Sequence, residues 1–298
     1  MNQISAILVI KGNPPHAIEA IDSVKAFVKE IIVADIGIDQ DLKKKLASYK
    51  TIRIVQIDEK VPYVEVIREK LKMYAKEEYI LFLDPDEILT TDLKNELQSK
   101  LTQYDYFSIP RKNIIFGKWI RHSRWWPDEQ IRLFKKDSVV WPHEIHKQPR
   151  VSGKGFQIKA EESYAICHFN YESIDEYLTK AMRYAKSEAT LFHERKQLLH
   201  LPDTMKKGIS EFISRFFAND GYKDGIHGFI LALFQLFYPF LVYFYYLELL
   251  KFNFKSSEKT LLQETSNFLG KLYKESLFWK AKKDSVTLKE KMVEKIID

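Results

Sequence analysis

The sequence predicts an α/β fold, in which helices flank a mainly parallel central sheet, with a helical extension at its C-terminal end. Over the first 90 residues short apolar runs alternate with segments of helical period, which is the pattern of βαβ units in a doubly wound sheet. The run Tyr79–Leu83 holds five apolar residues without alternation and stops at acidic residues, as expected of a central strand buried on both faces. The most apolar stretch of the chain, Gly228 to Leu250, predicts a separate helical part.

The first strand is predicted over Ile4–Ile10, and Lys11–Pro15 ends it with a glycine and two prolines. Ala17–Val28 places apolar residues at helical spacing and predicts the first helix. The other elements of this half are a strand over 31–34, a helix over 42–49, a strand over 53–57, a helix over 64–75 and the strand 79–83. We expect a domain over 1–200, with halves at 1–100 and 101–200, and a helical region over 201–298.

The composition is that of an ordinary globular protein with an uneven charge distribution. The 298 residues are 45% hydrophobic and 30% charged, and the formal net charge is +6. A run free of acids favours an anionic partner, and because the chain has no nucleic-acid-binding motif, phosphate groups or a lipid surface are favoured over nucleic acid. The basic residues of this run are Arg111, Lys112, Lys118, Arg121 and Arg124.

Cys167 is the only cysteine of the chain, which excludes an intrachain disulfide and a cysteine zinc site. The first residues run directly into a strand-like segment, so we expect no signal peptide. Both observations predict a cytoplasmic location.

Acidic residues follow two of the predicted parallel strands. Asp84 and Asp86 follow the strand 79–83, and Asp35 follows the strand 31–34. The carboxyl ends of parallel strands meet at one edge of a sheet, where such an arrangement suits a nucleotide: base or ribose at Asp35, and diphosphate with a divalent cation at Asp84 and Asp86. The alternatives are that Asp84 and Asp86, with Glu87, open the next helix, and that Asp35 caps a turn before Gly37.

No glycine-rich phosphate loop follows the first strand. The segment Lys11–Pro15 matches neither the dinucleotide fingerprint nor the P-loop. This argues against dinucleotide oxidoreductases and P-loop hydrolases, and leaves the phosphate contacts to a metal ion and side chains.

The order of these motifs resembles the inverting family-2 glycosyltransferases of the GT-A fold, and most closely the subgroup that adds glucose or related sugars to lipopolysaccharide inner cores. Arg68-Glu69 stands where that subgroup usually reads RN, and Leu83-Asp84-Pro85-Asp86-Glu87 where it reads LDADE. Asp35-Ile36-Gly37-Ile38-Asp39 replaces the typical DSGSTD, keeping the acids and losing the serines and threonine. The resemblance covers roughly residues 2–190, and its later blocks are Pro110–Asn113, Phe116–Trp119, Trp126–Phe134 and Trp141–Glu144.

The resemblance implies a nucleotide-sugar donor, of the UDP-sugar type, and Mg²⁺ or Mn²⁺ held mainly by Asp86, with Asp84 contacting ribose or metal. It also implies a donor contact for Arg68, and a place for His168 in the metal or diphosphate site, against the alternative of a packed core histidine. Lys180 and Arg183 lie three residues apart on a predicted helix, where they clamp diphosphate or form a solvated basic face.

Asp128 is the predicted base for the acceptor hydroxyl, because its aromatic and proline neighbours would dry the site and raise its pKa. Glu129 is the rival, and a solvated turn is the alternative for both. Arg132 leaves the apolar face of its strand toward a phosphate or the Asp128 carboxylate, or forms a surface salt bridge. The predicted acceptor-binding residues are Trp126, Trp141, His143 and Glu144.

The segment 228–250 is long enough to span a bilayer but contains Pro239, Gln235, Glu248 and four tyrosines. We expect a pair of interfacial half-helices kinked at Pro239, with tyrosines at the headgroups, rather than a transmembrane span. An oligomer interface or a helix buried against the catalytic domain is the alternative. Residues 256–298 read as one or two amphipathic helices.

Two other classes of protein fit parts of the sequence. A haloacid-dehalogenase-type phosphatase would explain Asp84 and Asp86, but its motif opens the domain, whereas three strands precede it here. A membrane-attached scaffold without activity is the non-enzyme alternative. We expect an inverting hexosyltransferase acting on a lipid-linked or lipopolysaccharide-core acceptor at the cytoplasmic face of the membrane.

Overall fold

A computed structural model describes residues 3–58, 67–142, 149–253 and 258–297, and of 285–297 the backbone alone. The chain forms two compact units: Met1–Ile114 with Pro127–Asn170 (unit 1), and Ile115–Trp126 with Tyr171–Asp298 (unit 2). The predicted division at residue 200 stays a prediction.

The first half of unit 1 is the predicted parallel α/β layer. Its strands are β1 (Ile4–Gly12), β2 (Glu30–Ile38), β3 (Ile52–Gln56) and β4 (Tyr79–Phe82), and its helices are α1 (Ala17–Val24), α2 (Gln40–Ala47) and α3 (Arg68–Leu71). β1 pairs in parallel with both β2 and β4, and β2 with β3. β1 alternates between the two sides of the sheet, because Leu8 and Ile10 belong to one core cluster and Ile7 and Val9 to the other.

The second half adds antiparallel strands. The remaining elements are β5 (Glu87–Leu89), α4 (Thr91–Lys100), β6 (Tyr106–Ile115), β7 (Lys118–Trp119), β8 (Asp128–Lys135), β9 (Val139–Val140), β10 (Arg150–Val151), β11 (Gly155–Gln157) and β12 (Ile166–Tyr171). The sheet order is β3-β2-β1-β4-β8-β6-β12-β5, with β8 antiparallel to β4 and β6, and β12 antiparallel to β5. The predicted α/β fold class is confirmed.

Three local predictions need correction. β2 continues to Ile38, so Asp35 lies inside the strand and not after it. The predicted helix 64–75 lies partly outside the described residues, and its described part is the short α3 followed by a 3₁₀ turn over Lys72–Tyr74. The acids after β4 do not open a helix, because α4 begins at Thr91, where the Thr90 hydroxyl caps the Leu93 N–H at 3.2 Å.

Unit 2 contains α5 (Ile174–Glu194), α6 (Leu201–Phe212), α7 (Ile226–Leu249) and α8 (Glu258–Ile297). Between α6 and α7 lie a π-helical turn over Ile213–Ala218 and a 3₁₀ turn over Gly221–Asp224. Within the described residues α7 is the one helix whose length and composition would allow it to cross a membrane.

The prediction of two half-helices was wrong. Pro239 lies inside one continuous 24-residue helix. The prediction that the tyrosines lie at the headgroups is wrong for two of the four, because Tyr243 and Tyr246 are buried within unit 2, whereas Tyr238 and Tyr245 are half-buried.

The basic run from Arg111 to Arg124 is partnered within the chain. In unit 1, Arg111 pairs with Asp128, and Lys112 pairs with Glu162. In unit 2, Lys118 donates to the Asp224 carbonyl at 2.6 Å and Arg124 pairs with Glu211.

Candidate active site

The turn between β4 and β5 places two carboxylates beside each other in unit 1. The Asp84 N–H donates to Glu87 Oε2 at 3.0 Å, and the Glu87 N–H donates back to the Asp84 carbonyl at 3.0 Å. This reciprocal pair closes the turn around Pro85. It buries Glu87 completely and leaves Asp84 and Asp86 partly exposed at the carboxyl edge of the sheet.

Three arginines neutralise the carboxylates of this turn and its surroundings. Arg132 on β8 is buried and bridges Asp84 and Glu87, with Nη2 at 2.6 Å from Glu87 Oε1. Arg68 at the start of α3 donates to Asp84 Oδ1 at 3.1 Å, and Arg111 on β6 donates to Glu87 Oε1 at 3.1 Å. The alternative of a surface salt bridge for Arg132 is therefore wrong, because the side chain is buried. The predicted contact with the Asp128 carboxylate is wrong as well, because Arg132 pairs with Asp84 and Glu87 instead.

Electrostatics holds Asp84 in its ionised form. Burial alone would raise the pKa of Asp84, but the charges of Arg132, Arg68 and Arg111 outweigh burial and keep the pKa well below its usual range. Burial would lower the pKa of Arg132, and Asp84 and Glu87 raise it instead. Asp84 and Arg132 are therefore both charged in the physiological pH range.

Asp128, at the start of β8, lies directly opposite Arg111 on β6. Its Oδ2 accepts from Arg111 Nε at 2.9 Å and from Asn113 Nδ2 at 3.1 Å, and its Oδ1 accepts from Gln130 Nε2 at 2.9 Å. Burial would raise the pKa of Asp128, but Arg111 and these hydrogen bonds outweigh it and lower the pKa. The expected rise was wrong, because cross-strand donors and not the neighbouring rings decide the pKa.

A chain of hydrogen bonds links Asp128 to Asp86. Asn113 is buried, and because its Nδ2 donates to Asp128, its Oδ1 must accept the 2.6 Å hydrogen bond from His168 Nδ1. The other imidazole nitrogen of His168, Nε2, lies 3.6 Å from Asp86 Oδ2. His168 Nε2 and the Asp86 carboxylate therefore face each other, and both are atoms of the kind that can ligate a metal ion.

Asp86 differs from the other carboxylates of this cluster because it has no arginine or lysine partner among the described residues. Arg68, Arg111 and Arg132 match Asp84, Glu87 and Asp128, whereas no lysine or arginine within the described residues pairs with Asp86. Within the described residues, no group of three or more His, Cys, Asp or Glu side chains is placed to hold a metal ion. One carboxylate and one imidazole still fit Mg²⁺ or Mn²⁺, which usually keep waters and substrate phosphates as their other ligands.

Asp35 has contacts of the turn-capping kind. Oδ1 accepts the N–H groups of Gly37 and Ile38, each at 2.8 Å, and Oδ2 pairs with Lys43 at 2.7 Å. Burial would raise the pKa of this carboxyl, and the hydrogen bonds from Lys43 and from the two N–H groups lower it. These contacts occupy both oxygens, so the geometry favours a structural role for Asp35 over a nucleotide contact.

The remaining predicted site residues are divided between the two units and the residues outside the described part of the chain. Glu129 points to the opposite face of β8 from Asp128 and accepts from Ser108 Oγ at 2.7 Å. Trp141 is buried, with the Arg68 guanidinium 4.9 Å from its ring centroid, so it packs behind the site. Trp126, Lys180 and Arg183 belong to unit 2, where Trp126 packs edge-on against Trp119 and Lys180 pairs with Glu176 at 2.9 Å. His143 and Glu144 lie outside the described residues.

The sequence analysis did not assign roles to Glu87, Arg111 and Asn113. A signal for two of them was present: Arg111 and Asn113 are polar residues two positions apart in an apolar strand, and therefore on one face. Glu87 carried no such signal, because its burial depends on the pairing of β5 with β12.

The lowered pKa of Asp128 predicts a loss of stability in acid. Such a group stabilises the folded state above its unfolded pKa, near 3.9, and this contribution disappears as the pH falls through the folded value. We expect the free energy of unfolding to fall below about pH 4, and to fall less in Asp128→Asn. Urea unfolding of both proteins from pH 7 to pH 3 measures this. A constant difference between the two proteins across that range would contradict it.

Comparison with known proteins indicates the class of enzyme. Residues 5–149 match the family model described as Glycosyl transferase family 2. An uncharacterized glycosyltransferase of Rickettsia felis is 26% identical over 267 residues, covering 81% of this chain and 88% of the relative. One from Rickettsia conorii is 24% identical over 264 residues, covering 80% and 88%.

Two solved structures are similar at lower identity. S. aureus TarS 1-349 in complex with UDP-GlcNAc is 14% identical, covers 80% of this chain and 81% of that chain, and has a TM-score of 0.46. The complex of the same protein with UDP is 13% identical, covers 82% and 91%, and has a TM-score of 0.44. The matches do not favour the phosphatase or the scaffold. Residues 5–149 thus match a family 2 glycosyltransferase domain, and the prediction that this chain is a glycosyltransferase is confirmed.

Proposed function

We propose that this glycosyltransferase moves a hexose, with glucose as the first choice, from a UDP-sugar to a lipid-linked or lipopolysaccharide-core acceptor at the cytoplasmic face of the cell membrane. The transfer inverts the anomeric carbon. The observation that supports the donor site is Asp86, the carboxylate of the turn without an arginine partner, facing His168 Nε2 at 3.6 Å.

In this proposal Asp86 and His168 would hold Mg²⁺ or Mn²⁺, and the ion, when bound, would act as a Lewis acid toward the leaving diphosphate. Arg132 and Arg68 fix Asp84, and so fix the turn that carries Asp86. Asn113 orients His168 by accepting the Nδ1 proton, which directs Nε2 toward Asp86.

Asp128 is the proposed base. It accepts the proton of the acceptor hydroxyl while the acceptor oxygen forms a bond to the anomeric carbon and the bond from that carbon to the diphosphate oxygen breaks. Its lowered pKa keeps it ionised at neutral pH but makes it a weaker proton acceptor than a carboxylate with a raised pKa. The observation that supports the role is its link to the Asp86 end of the site through Asn113 and His168. Glu129, on the other face of β8, lacks this link.

The test has two parts. Thermal shift with a panel of nucleotide sugars, with and without Mn²⁺, identifies the donor, and NMR of the product reports the anomeric configuration. We then expect Asp128→Asn to lower kcat by about 10²–10⁴-fold, the usual contribution of a base, with donor affinity unchanged.

Glu129→Gln is the matched control and should retain turnover. If Asp128→Asn keeps full turnover, the base is Glu129 or Glu144 instead. Release of inorganic phosphate from small phosphoesters would reject the transferase altogether.

A further inference from the structure

The outward side of α7 is a continuous apolar surface within unit 2. In this helix, which the structure describes throughout, every exposed residue except Glu248 is apolar. The surface, termed here the α7 outer face, consists of Ile226, Phe229, Leu233, Phe237 and Phe244. Their spacing of three, four, four and seven residues places them on one side over about 27 Å.

This surface is large for a protein in water. Its five side chains are 39–64% exposed. With about 200 Å² for each side chain, they present roughly 450 Å² of apolar area. Patches of this size on soluble proteins are often interaction sites.

The contacts on the opposite side of α7 argue against a bilayer-spanning position of this helix. Its polar groups face α5, where Tyr238 donates to Glu188 Oε2 at 3.1 Å and Gln235 donates to the Tyr177 hydroxyl at 2.8 Å. A spanning α7 would carry Glu188 and the other charges of α5 into the hydrocarbon region, where each charge is costly. The geometry therefore suits a helix that lies along a surface.

The charge of the chain identifies the class of surface. Unit 2 contains 23 lysines and arginines against 17 acids, whereas unit 1 contains 24 of each, so the whole net charge of +6 belongs to the unit that carries α7. Two copies of unit 2 facing each other would repel, and an anionic surface would attract it. Lys223 and Lys251 stand just before and just after the helix.

We propose that unit 2 docks on an anionic lipid bilayer through the α7 outer face. The phenylalanine and leucine side chains enter the boundary between headgroups and acyl chains, and lysines meet the lipid phosphates. This deepens the membrane location in the proposed function, but vesicle binding requires no donor, acceptor or metal, so it stands or falls separately from sugar transfer.

The experiment is co-sedimentation of the full chain with phosphatidylcholine vesicles that contain or lack one quarter phosphatidylglycerol. We expect at least ten-fold tighter binding to the anionic vesicles, weakened between 0.1 and 0.5 M salt. The combined variant Leu233→Ser, Phe237→Ser and Phe244→Ser should lose at least ten-fold in partitioning. The matched control is Leu262→Ser, Leu269→Ser and Tyr273→Ser, which removes three exposed apolar side chains of α8 and should stay within two-fold of the parent.

A second measurement covers the case in which the combined variant unfolds. An environment-sensitive fluorophore on Phe237→Cys, in a Cys167→Ser background, should shift to the blue with anionic vesicles, and the same fluorophore on Leu262→Cys should not. Equal losses in both triple variants, no binding to either vesicle, or a dimer without lipid that the α7 variant abolishes would each overturn the proposal.

Discussion

Asp86→Ala is expected to lower kcat/KM by about 10²–10³-fold, the size of effect seen when one electrostatic contact to developing charge is removed. Asp86 is the one carboxylate of the described cluster that no arginine neutralises, and it faces His168 Nε2 at 3.6 Å. Without it the diphosphate would lose the positive charge that the metal ion brings. Initial rates as a function of Mn²⁺ concentration, and calorimetric titration with the donor, measure the effect.

Folding should change little in Asp86→Ala, because the side chain is partly exposed and its ring partner is retained. The matched control is Asp41→Ala, which removes an exposed acid of α2 whose one charged contact is with Lys44 at 3.8 Å. That variant should keep the parent rate. Mn²⁺-dependent turnover that survives in Asp86→Ala would show that Asp86 does not hold the metal ion, and would remove Asp86 from the proposed metal site.

Arg132→Met is expected to destabilise the protein by about 3–5 kcal/mol, the usual cost of removing one partner of a buried ion pair. Arg132 is 1% exposed and bridges Asp84 and Glu87. Its Nε and Nη1 are buried without a hydrogen-bond partner among the described residues, so its charge and not complete hydrogen bonding holds it in place. Urea unfolding at pH 7 gives the free energy directly.

Arg132→Lys keeps the positive charge but lacks the forked donors of the guanidinium, so its loss of stability should be smaller than that of Arg132→Met. Glu87→Gln in the Arg132→Met background should recover part of the stability, since it removes one of the two carboxylates left behind. A double-mutant cycle of these variants gives the coupling energy between Arg132 and Glu87. If Arg132→Met lies within about 0.5 kcal/mol of the parent, the bridge contributes nothing to folding.

The sequence carried the parallel half of the fold and the position of the acidic turn. An apolar run without alternation has apolar side chains on both faces of its strand, so both faces must be buried. This predicts β1 and β4 as central strands of the sheet. The direction of Arg132 did not follow from period two, because the register between β6 and β8 shifts at this residue, and Ile131 and Leu133 pack against different core clusters. The alternation of side chains along a strand also does not predict which strands pair with it on either side.

Cross-strand register decided most of the remaining site. Arg111 meets Asp128 because β6 and β8 run antiparallel in one particular register, and a shift of one residue would separate them. The pKa of Asp128 was misjudged for this reason, since its neighbours in the chain are rings and a proline, while its neighbours in space are donors. Two of the four tyrosines of α7 were misplaced similarly, because composition does not tell which side of a helix packs.

In the turn at Pro85, acidic residues that are almost adjacent in the chain have different roles. Asp84 and Glu87 pair with the buried Arg132, whereas within the described residues Asp86 pairs with no arginine and faces His168. Substitutions at Asp84 or Glu87 would therefore register first as poor recovery of soluble protein, and those at Asp86 as well-behaved protein without turnover. A mutational library over these four positions would separate the requirements of folding from those of chemistry within a single turn.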